Sequence, residues 1–412
     1  MTREEALQEV LSNVLAIPNR NILLEFSTGA GKSLMAIKKI EQLNITGKIL
    51  IVIPRLVLIP NWETEFTKWH YERYLPQVEF VTYVSLPTKV GNSYMAVIYD
   101  EAHHLTPRCQ AAVPYINSNY NILLSATIKR TLRPIFNKLF SNLYTYQISL
   151  QDAIDNEILP EPRIVLIPLQ LETTRPTEIL EIGPKKQQQR VITYQQWLKG
   201  KWQYLKGNYN YGLKIQCTQA QKYKEICDFM DNCTKKINNN LVVGLAKVKV
   251  EQARKRKGLE RLQWLAEIKS DFVKQLLKQL KDYRTLTFCY NIKQTEYLGK
   301  YCVNSKNKKK SNGYLDDFNN KKIKHITSVD MLNEGCNLTD CKCGVFVVYN
   351  SSDTRRIQKV GRLLRHRKPI IYLPYYIGTK EEDIVKLMIE GYDSSLIVKA
   401  TNPFNFNEYI NR

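Results

Sequence analysis

The sequence predicts an α/β protein with parallel sheets flanked by helices, in two successive domains with a helical insertion between them. Two observations predict this class. Apolar runs of strand length occur at residues 22–26 and 95–99, and a stretch with helical periodicity follows the first run. The chain has 412 residues, of which 43% are hydrophobic, so it is long enough for two or three domains of roughly 100–200 residues each.

The charge balance points to an anionic partner. Lys and Arg number 61 against 39 Asp and Glu, which gives a formal net charge of +22. A surplus of this size favours nucleic acid first and anionic membranes second, whereas the plainer alternative is a basic surface without a specific partner. No run approaches the ~20 apolar residues of a membrane span, so we expect no membrane insertion.

The N-terminus and the cysteines predict an intracellular protein. The first 13 residues are polar and acidic and contain no apolar signal core, which argues against secretion. The nine cysteines include no C-x-x-C pair, and such a set is typical of unpaired thiols in a reducing cytosol. Zinc bound through Cys341 and Cys343 is the minor alternative, because a C-x-C spacing suits metal ligation poorly.

A glycine-rich segment, STGAGKS at residues 27–33, follows the first predicted strand. A helix is predicted after it by an apolar period at Leu34, Ile37, Ile40 and Leu43. The glycines allow the backbone to bend so that its N–H groups point at phosphates, and the helix N-terminus adds positive partial charge. Lys32 would reach the outer phosphates, and the Ser33 hydroxyl would bind Mg²⁺. A chance glycine-rich turn is the alternative, and Phe26 stands where the common pattern has glycine. The predicted nucleotide phosphate site comprises Thr28, Gly29, Ala30, Gly31, Lys32 and Ser33.

Two acids follow the second apolar run. Carboxylates at the C-terminal end of a parallel strand face the crevice in which α/β sheets bind ligands. We expect Asp100 to hold Mg²⁺ and Glu101 to orient or deprotonate an attacking water. His103 would lie close to the γ-phosphate or to the next strand. An isolated Asp-Glu pair is usually a solvated loop, but this pair ends a predicted buried strand downstream of a phosphate loop.

These segments resemble the motifs of the superfamily 2 helicases and translocases, and the resemblance covers most of the chain. DEAH at residues 100–103 matches motif II letter for letter, and LLSATI at 123–128 matches motif III. The whole series, in chain order, is motif I at 27–33, Ia at 52–66, Ib at 82–86, II at 100–103, III at 123–128, IV at 287–298, V at 327–338 and VI at 358–365. The resemblance implies two tandem RecA-like domains.

The resemblance also implies roles for further residues. Arg362 and Arg365 of motif VI would cross a cleft and stabilise charge on the departing phosphoryl group, an effect of about 10³–10⁵ in rate. Gln358 lies on a neighbouring face of the same short predicted helix. Gly335 of motif V is expected at the nucleotide. Gln8 is expected to read adenine, although an exposed helix residue is the simpler account. The expected nucleic-acid contacts are Arg55, Tyr83, Ser125, Thr127, Asn291 and Ser328.

We predict a first domain at 1–160 and a second at 161–412, the latter including a basic, aromatic-rich insertion at about 175–255. Aromatic residues interleaved with lysines suit stacking on unpaired bases, so we expect the segment as a whole to contact nucleic acid. For any one of these residues, a place in a small helical core is the preferred interpretation. The aromatic residues concerned are Tyr194, Trp197, Trp202, Tyr204, Tyr209 and Tyr211. Residues 260–282 carry an apolar stripe at helical spacing and predict one continuous helix.

Motif Ia decides the expected substrate. Its P-x-x-x-L-x-x-x-W-x-x-E-F form is similar to that of DNA translocases and restriction motor subunits, and differs from the RNA-directed DEAD-box form. The resemblance implies a compact, monomeric helicase or translocase of bacteria or phages. It would act in the cytoplasm on single-stranded or branched DNA with ATP and Mg²⁺, moving 3′ to 5′. The alternatives are an RNA helicase, or a nucleic-acid-binding ATPase switch that does not unwind.

Overall fold

Two parallel sheets form the frame of the computed structural model. The structure describes residues 3–27, 29–126, 128–183, 189–206, 211–329, 338–349, 366–390 and 392–400. Within these ranges, no helix combines the length and the apolar character that crossing a membrane requires.

The first sheet is built from the N-terminal part of the chain. Its strands are β1 (Asn21–Phe26), β2 (Ile49–Ile53), β3 (Val78–Thr82), β4 (Ser93–Tyr99), β5 (Asn117–Ser125) and β6 (Tyr144–Ile148). All neighbours are parallel, and the order across the sheet is β3-β2-β4-β5-β1-β6. The accompanying helices are α1 (Arg3–Ala16), α2 (Lys32–Gln42), α3 (Ile59–Lys68), α4 (Pro107–Ala112), α5 (Arg133–Leu139) and α6 (Leu150–Asp155).

Helices cover both faces of this sheet, which explains why its central strands are almost continuously apolar. Along β1, the side chains of Ile22, Leu24 and Phe26 lie in one core cluster, and Leu23 lies in another. The alternation follows from the two-residue period of a strand. Because β5 separates β1 from β4, the segments that follow those two strands lie on either side of the end of β5, about 10 Å apart.

The second sheet has seven parallel strands. They are β7 (Arg163–Leu169), β11 (Thr285–Phe288), β12 (Cys302–Val303), β13 (His325–Ser328), β14 (Cys343–Phe346), β15 (Ile370–Tyr376) and β16 (Ile397–Lys399). The order is β12-β13-β11-β14-β15-β7-β16. The chain therefore passes from the first sheet to the second between Ile148 and Arg163. The helices α10 (Ser270–Gln279), α11 (Ile292–Leu298), α12 (Lys308–Asn319) and α13 (Lys380–Ile389) accompany this sheet.

The insertion lies between β7 and α10 and contains a small sheet as well as helices. Its elements are β8 (Glu178–Ile182), β9 (Gln189–Thr193), α7 (Tyr194–Lys206), β10 (Gly212–Cys217), α8 (Gln219–Asn238) and α9 (Gly244–Ile268). In the sheet, β10 is antiparallel to β8 and parallel to β9. The predicted helices are present, whereas the three strands were not predicted. β8 and β9 are short and largely exposed, and β10 is mostly buried but interrupted by Lys214 and Gln216, so none of the three is an apolar run like those of the two large sheets.

The helix predicted over residues 260–282 is two helices, because α9 ends at Ile268 and α10 begins at Ser270. Lys269, at the junction, is fully buried and its Nζ lies 2.6 Å from Glu381 Oε1. The same ammonium donates to the carbonyl of Pro374 at 3.3 Å and lies over the ring of Tyr349. A buried cation requires such partners, and a helical pattern in the sequence does not reveal them.

Candidate functional site

The glycine-rich loop lies between β1 and α2, as the sequence predicted. Gly29 and Gly31 have φ angles of 90° and 82°, a conformation that residues with a Cβ rarely adopt. Gly31 is also closely packed, because a Cβ there would lie 3.4 Å from Leu7 Cδ2 on α1. No described side chain caps the N-terminus of α2, so its first N–H groups are available to an anion.

Lys32 and Ser33 occupy the first turn of α2, and both are half-buried. The Lys32 ammonium donates a hydrogen bond of 3.1 Å to the carbonyl of Phe26, at the end of β1. This bond folds the side chain back over the loop, where a phosphate bound by the loop would lie beside a positive charge. We expect this arrangement to bind a polyphosphate.

Asp100 directly follows β4, at the same edge of the sheet. Burial and the neighbouring Glu101 raise the pKa of Asp100 to about 6, while a hydrogen bond from Trp62 and the charge of Lys32 act in the opposite direction. Trp62 Nε1 donates to Asp100 Oδ2 at 3.0 Å. Lys32 of the phosphate loop thus lies close enough to Asp100 for its charge to lower the pKa of that carboxyl.

Glu101 adopts a left-handed backbone conformation, with φ 50° and ψ 58°. A non-glycine residue there costs about 1–2 kcal/mol, and such strain is concentrated at functional sites. Its Oε2 lies 3.4 Å from His103 Nδ1 and accepts no hydrogen bond of good geometry among the described residues. This carboxylate oxygen is therefore suited to accept a proton from a water.

His103 connects the acidic segment to the end of β5. Its Nδ1 lies 3.1 Å from Ser125 Oγ, and its ring packs against that of His104, with the centroids 4.4 Å apart. Ser125 is fully buried. The structure therefore places Ser125 against the acidic segment, and this burial does not support the predicted direct contact of Ser125 with nucleic acid.

Tyr83 is likewise internal, with only 4% of its surface exposed. Its hydroxyl donates to the backbone carbonyl of Asp100 at 2.8 Å, and burial raises its pKa well above the usual value. A buried phenol with its hydroxyl bound to protein is poorly placed to contact nucleic acid. Its observed contact instead supports the turn that carries the acids.

The remaining predicted nucleic-acid residues lie at the carboxyl ends of strands. Arg55 is exposed in the segment after β2, and Ser328, the last residue of β13, is buried. Asn291 follows β11 and caps α11, its side chain accepting from Gln294 N at 2.8 Å. Gln8 is exposed on α1. The predicted site residues that lie outside the described residues are Thr28, Thr127, Gly335, Gln358, Arg362 and Arg365.

Two functional candidates escaped the sequence analysis. Glu25 is buried near the end of β1 and accepts a hydrogen bond of 2.8 Å from the backbone N–H of Ile128. Its other oxygen lies 2.6 Å from Arg133 Nη2. It thus joins the strand before the phosphate loop to the segment after β5, and its only sequence signal is one acid inside an apolar run. Trp62, the second candidate, was visible as part of motif Ia, but its bond to Asp100 was not.

The aromatic residues of the insertion mostly build its own core. Trp197 is 1% exposed and packs with Leu213 and Ile215. Tyr194 is buried and donates to Glu225 Oε1 at 3.0 Å. Stacking of these two residues on bases is therefore not supported, and the alternative of a small core is the better description. The described part of the chain contains no cluster of His, Cys, Asp or Glu that could hold a metal ion, so zinc at Cys341 and Cys343 finds no support.

Two family models match the sequence. One, described as the type III restriction enzyme, res subunit, matches residues 2–88. The other, the helicase conserved C-terminal domain, matches residues 268–367. A search of curated proteins finds no match.

Solved structures share the fold at low sequence identity. A putative HsdR subunit of a type I restriction enzyme from Vibrio vulnificus is 16% identical with a TM-score of 0.54, covering 97% of this chain and 67% of that one. The type ISP restriction-modification enzyme LlaBIII bound to DNA is 12% identical with a TM-score of 0.54, covering 98% and 32%. S. cerevisiae Dbp5 bound to RNA and ADP BeF3 is 11% identical with a TM-score of 0.57, covering 98% and 91%.

The likeness in fold extends over both sheets, and each family model falls on a different one. The phosphate loop lies within the first matched range, and the second range overlaps strands β11 to β14. The two family-model matches, one on each sheet, support a superfamily 2 helicase that hydrolyses ATP, and the solved structures share its two tandem RecA-like domains.

Proposed function

We propose that this helicase is a DNA helicase or translocase that uses ATP hydrolysis to move along or unwind single-stranded or branched DNA. The observation that carries the proposal is the contact between Trp62 and Asp100. Trp62 lies on α3, which follows the exposed loop at Arg55, whereas Asp100 lies beside the phosphate loop. A movement of the loop at Arg55 on binding DNA would thereby be transmitted through Trp62 to Asp100, the acid expected to hold Mg²⁺.

In the proposed reaction, a water oxygen attacks the γ-phosphorus of ATP, and the bond from that phosphorus to the β–γ bridging oxygen breaks. Glu101 takes the proton from the water, because its buried Oε2 accepts no hydrogen bond among the described residues. Lys32 neutralises charge on the outer phosphates. His103, held near Ser125, would sense whether a γ-phosphate is present.

Mg²⁺ fits the oxygen donors that the site offers. The Ser33 hydroxyl stands in the first turn of α2 and the Asp100 carboxylate at the end of β4, and hard oxygen ligands are those that Mg²⁺ prefers. When bound, the ion would neutralise charge on the phosphates. The raised pKa of Asp100 is consistent with this role, because a carboxylate whose charge is poorly compensated gains most from a cation.

We assign Arg362 and Arg365 to the opposite side of the nucleotide, with Gln358 and Gly335 beside them, and Gln8 to the adenine. These roles rest on the motif VI and motif V sequences. Arginines supplied from a second domain would make hydrolysis depend on domain closure, which converts a chemical cycle into motion. We expect a monomer that moves 3′ to 5′ in the bacterial or phage-infected cytoplasm.

DNA is preferred over RNA because of motif Ia, which here places the basic residue Arg55 beside the exposed Leu56 and Val57. Contacts to phosphates would dominate, so binding should tolerate any sequence and weaken as salt rises.

The test is an ATPase assay with single-stranded DNA, forked DNA and single-stranded RNA in parallel. The proposal requires DNA to stimulate turnover at least tenfold more than RNA does. Stimulation by RNA alone would make the protein an RNA helicase. Stimulation by DNA without displacement of an annealed strand would exclude unwinding. A triplex-displacement assay would then distinguish a translocase, which displaces the third strand, from a switch, which does not.

A further inference from the structure

The helices α8 and α9 form an antiparallel hairpin, here termed the arm, with a turn at residues 239–243. Its outer half is held mainly by contacts within the hairpin. Arg254 Nη1 donates to Thr234 Oγ1 at 3.1 Å, and a Cβ at Gly258 would lie 3.4 Å from Met230 Cε. Within residues 231–260 only Cys233 is buried, so this half has almost no core of its own.

The base of the arm is anchored firmly. Trp264 Nε1 and the Lys222 ammonium lie 2.9 and 2.7 Å from Glu178 Oε2, on β8. On the other side, the backbone N–H of Lys380, at the start of α13, donates to the Tyr223 hydroxyl at 2.7 Å. The base of the arm is therefore tied both to the small sheet and to the second domain.

The turn is a regular helix-ending motif that displays its apolar residue. Asn240 has φ 51°, and the N–H groups of Asn240 and Leu241 donate to the carbonyls of Ile237 and Lys236 at 3.3 and 3.0 Å. In this motif the residue at the position of Leu241 frequently packs back on the helix. Here Leu241 is 69% exposed, and Val243 and Leu245 are 71% and 83% exposed.

The apolar tip is flanked by positive charge. Residues 247–257 include six Lys or Arg and one acid, over a helical length of about 16 Å. Lys249, Lys255 and Arg256 are exposed on α9, and Lys235 and Lys236 are exposed on α8. A patch of exposed apolar residues with a charged rim marks an interaction site. The charge specifies a polyanion.

We propose that the tip of the arm, formed by Leu241, Val243 and Leu245, is a wedge that separates the two strands of a nucleic-acid duplex at a junction. The flanking lysines and arginines bind the phosphates on either side. Apolar side chains inserted between base steps unstack them when nearby cations hold the backbone. This inference rests on the proposed function, and it assigns strand separation to the arm rather than to the ATPase site.

The first experiment measures junction opening without ATP. A forked DNA duplex carries 2-aminopurine at the first base pair, and its fluorescence rises when that base unstacks. The wild-type protein should raise the signal severalfold. The variant Leu241→Ser/Val243→Ser/Leu245→Ser should not, although its affinity for the fork stays within about threefold. Leu387→Ser, a change at a half-exposed leucine of α13, is the matched control and should behave as wild type.

The second experiment measures strand displacement in a single turnover with ATP. The triple serine variant should displace strands at least tenfold more slowly, with its DNA-stimulated ATPase within twofold of wild type. Wild-type junction opening by this variant would overturn the wedge. So would a change only in sedimentation, or only in binding to phosphatidylserine vesicles, because the tip would then serve self-association or a membrane. Loss of ATPase stimulation by all nucleic acids would refute the proposed function, while the 2-aminopurine signal would still decide the wedge.

The charges are tested separately. Lys249→Gln/Lys255→Gln/Arg256→Gln should lower the slope of log affinity for the fork against log salt by about 2–3, since each phosphate contact contributes about 0.9. The triple serine variant should leave this slope unchanged. An unchanged slope in the glutamine variant would show that these cations do not contact phosphates, which would contradict the proposed binding of the backbone beside the wedge.

Discussion

The indole N–H of Trp62 donates a hydrogen bond of 3.0 Å to the carboxylate of Asp100, across 38 residues of sequence. Trp62 is nearly fully buried, so the bond lies in an environment that strengthens it. It opposes the effect of burial and of Glu101 on the pKa of Asp100. Motifs Ia and II, which the sequence presents as separate segments, are thus in direct contact.

Replacing Trp62 by Phe removes this N–H and keeps most of the ring. A hydrogen bond to a charged group contributes about 1.5–3 kcal/mol, and its loss raises the pKa of Asp100 further. A proton then competes with Mg²⁺ for the carboxylate at neutral pH, so the Mg²⁺ concentration for half-maximal ATPase should rise about tenfold. Trp69→Phe is the matched control, because Trp69 Nε1 also donates to a carboxylate, that of Glu65, at 3.0 Å. Equal Mg²⁺ requirements in the two variants would mean that the Trp62 bond does not prepare Asp100 for the ion.

Lys32→Ala should lower ATP turnover at least 100-fold, because the variant lacks the positive charge that neutralises the outer phosphates. The side chain is half-buried, and its ammonium donates a hydrogen bond to the carbonyl of Phe26. The melting temperature should therefore shift by no more than about 2 °C. DNA binding without nucleotide, measured by fluorescence anisotropy, should remain within twofold. Normal turnover in this variant would remove the phosphate-loop assignment.

Asp100→Asn should abolish turnover and yet stabilise the protein at neutral pH. The folded-state pKa of about 6 exceeds the ordinary value of 3.8, so the folded protein retains a proton that the unfolded chain releases. The free energy of unfolding of the wild type therefore falls as pH rises through about 4 to 6. Asparagine does not titrate, so the free energy of unfolding of the variant does not fall in this way. The variant should be more stable than the wild type at pH 7.5 by about 1–2 kcal/mol. This is less than the pKa difference alone would give, because the side chain is partly exposed. Urea unfolding at pH 4.5 and 7.5 measures the difference, which should be small at the lower pH.

Lys269→Ala should destabilise the second domain by about 3–5 kcal/mol, because it strands the buried carboxylate of Glu381. Burial lowers the pKa of Lys269 and Glu381 opposes this, so the pair is stable only when both partners are present. Lys257→Ala, which breaks an exposed ion pair with Glu260, should cost at most about 0.5–1 kcal/mol. Urea unfolding compares the two, and the double variant Lys269→Met/Glu381→Gln should recover part of the loss.

The large sheets were predictable because their signal is local. Strands β1, β2 and β4 are nearly continuous apolar runs. The loop between β1 and α2 is recognisable from its glycines and Lys32. The acid pair was predictable for the same reason, since it ends such a run. What the residues could not reveal was how these segments meet. The partners of Asp100, namely Trp62 and Lys32, come from segments distant in sequence.

Burial is the property of these side chains that the sequence conveys least. Tyr83 and Ser125 belong to motifs that predicted contact with nucleic acid, yet both side chains are internal and bind the acidic segment. For Trp197 the sequence offered a place in a small core or stacking on bases, and the side chain lies in a core of six buried residues. A side chain's chemistry is visible in the sequence, whereas the direction in which it points depends on the sheet or helix on which it lies.

The position of β7 in the second sheet attaches the arm to the second domain. This strand pairs with β15 and β16 in the second sheet and precedes the insertion, while α10, which follows the insertion, packs against the same sheet. The chain therefore enters and leaves the insertion at the second sheet. A helix of 25 residues such as α9 is about 37 Å long, so a rotation of that domain by about 10° would sweep its far end by about 6 Å. This displacement of the arm is close to the rise of two stacked bases, about 7 Å.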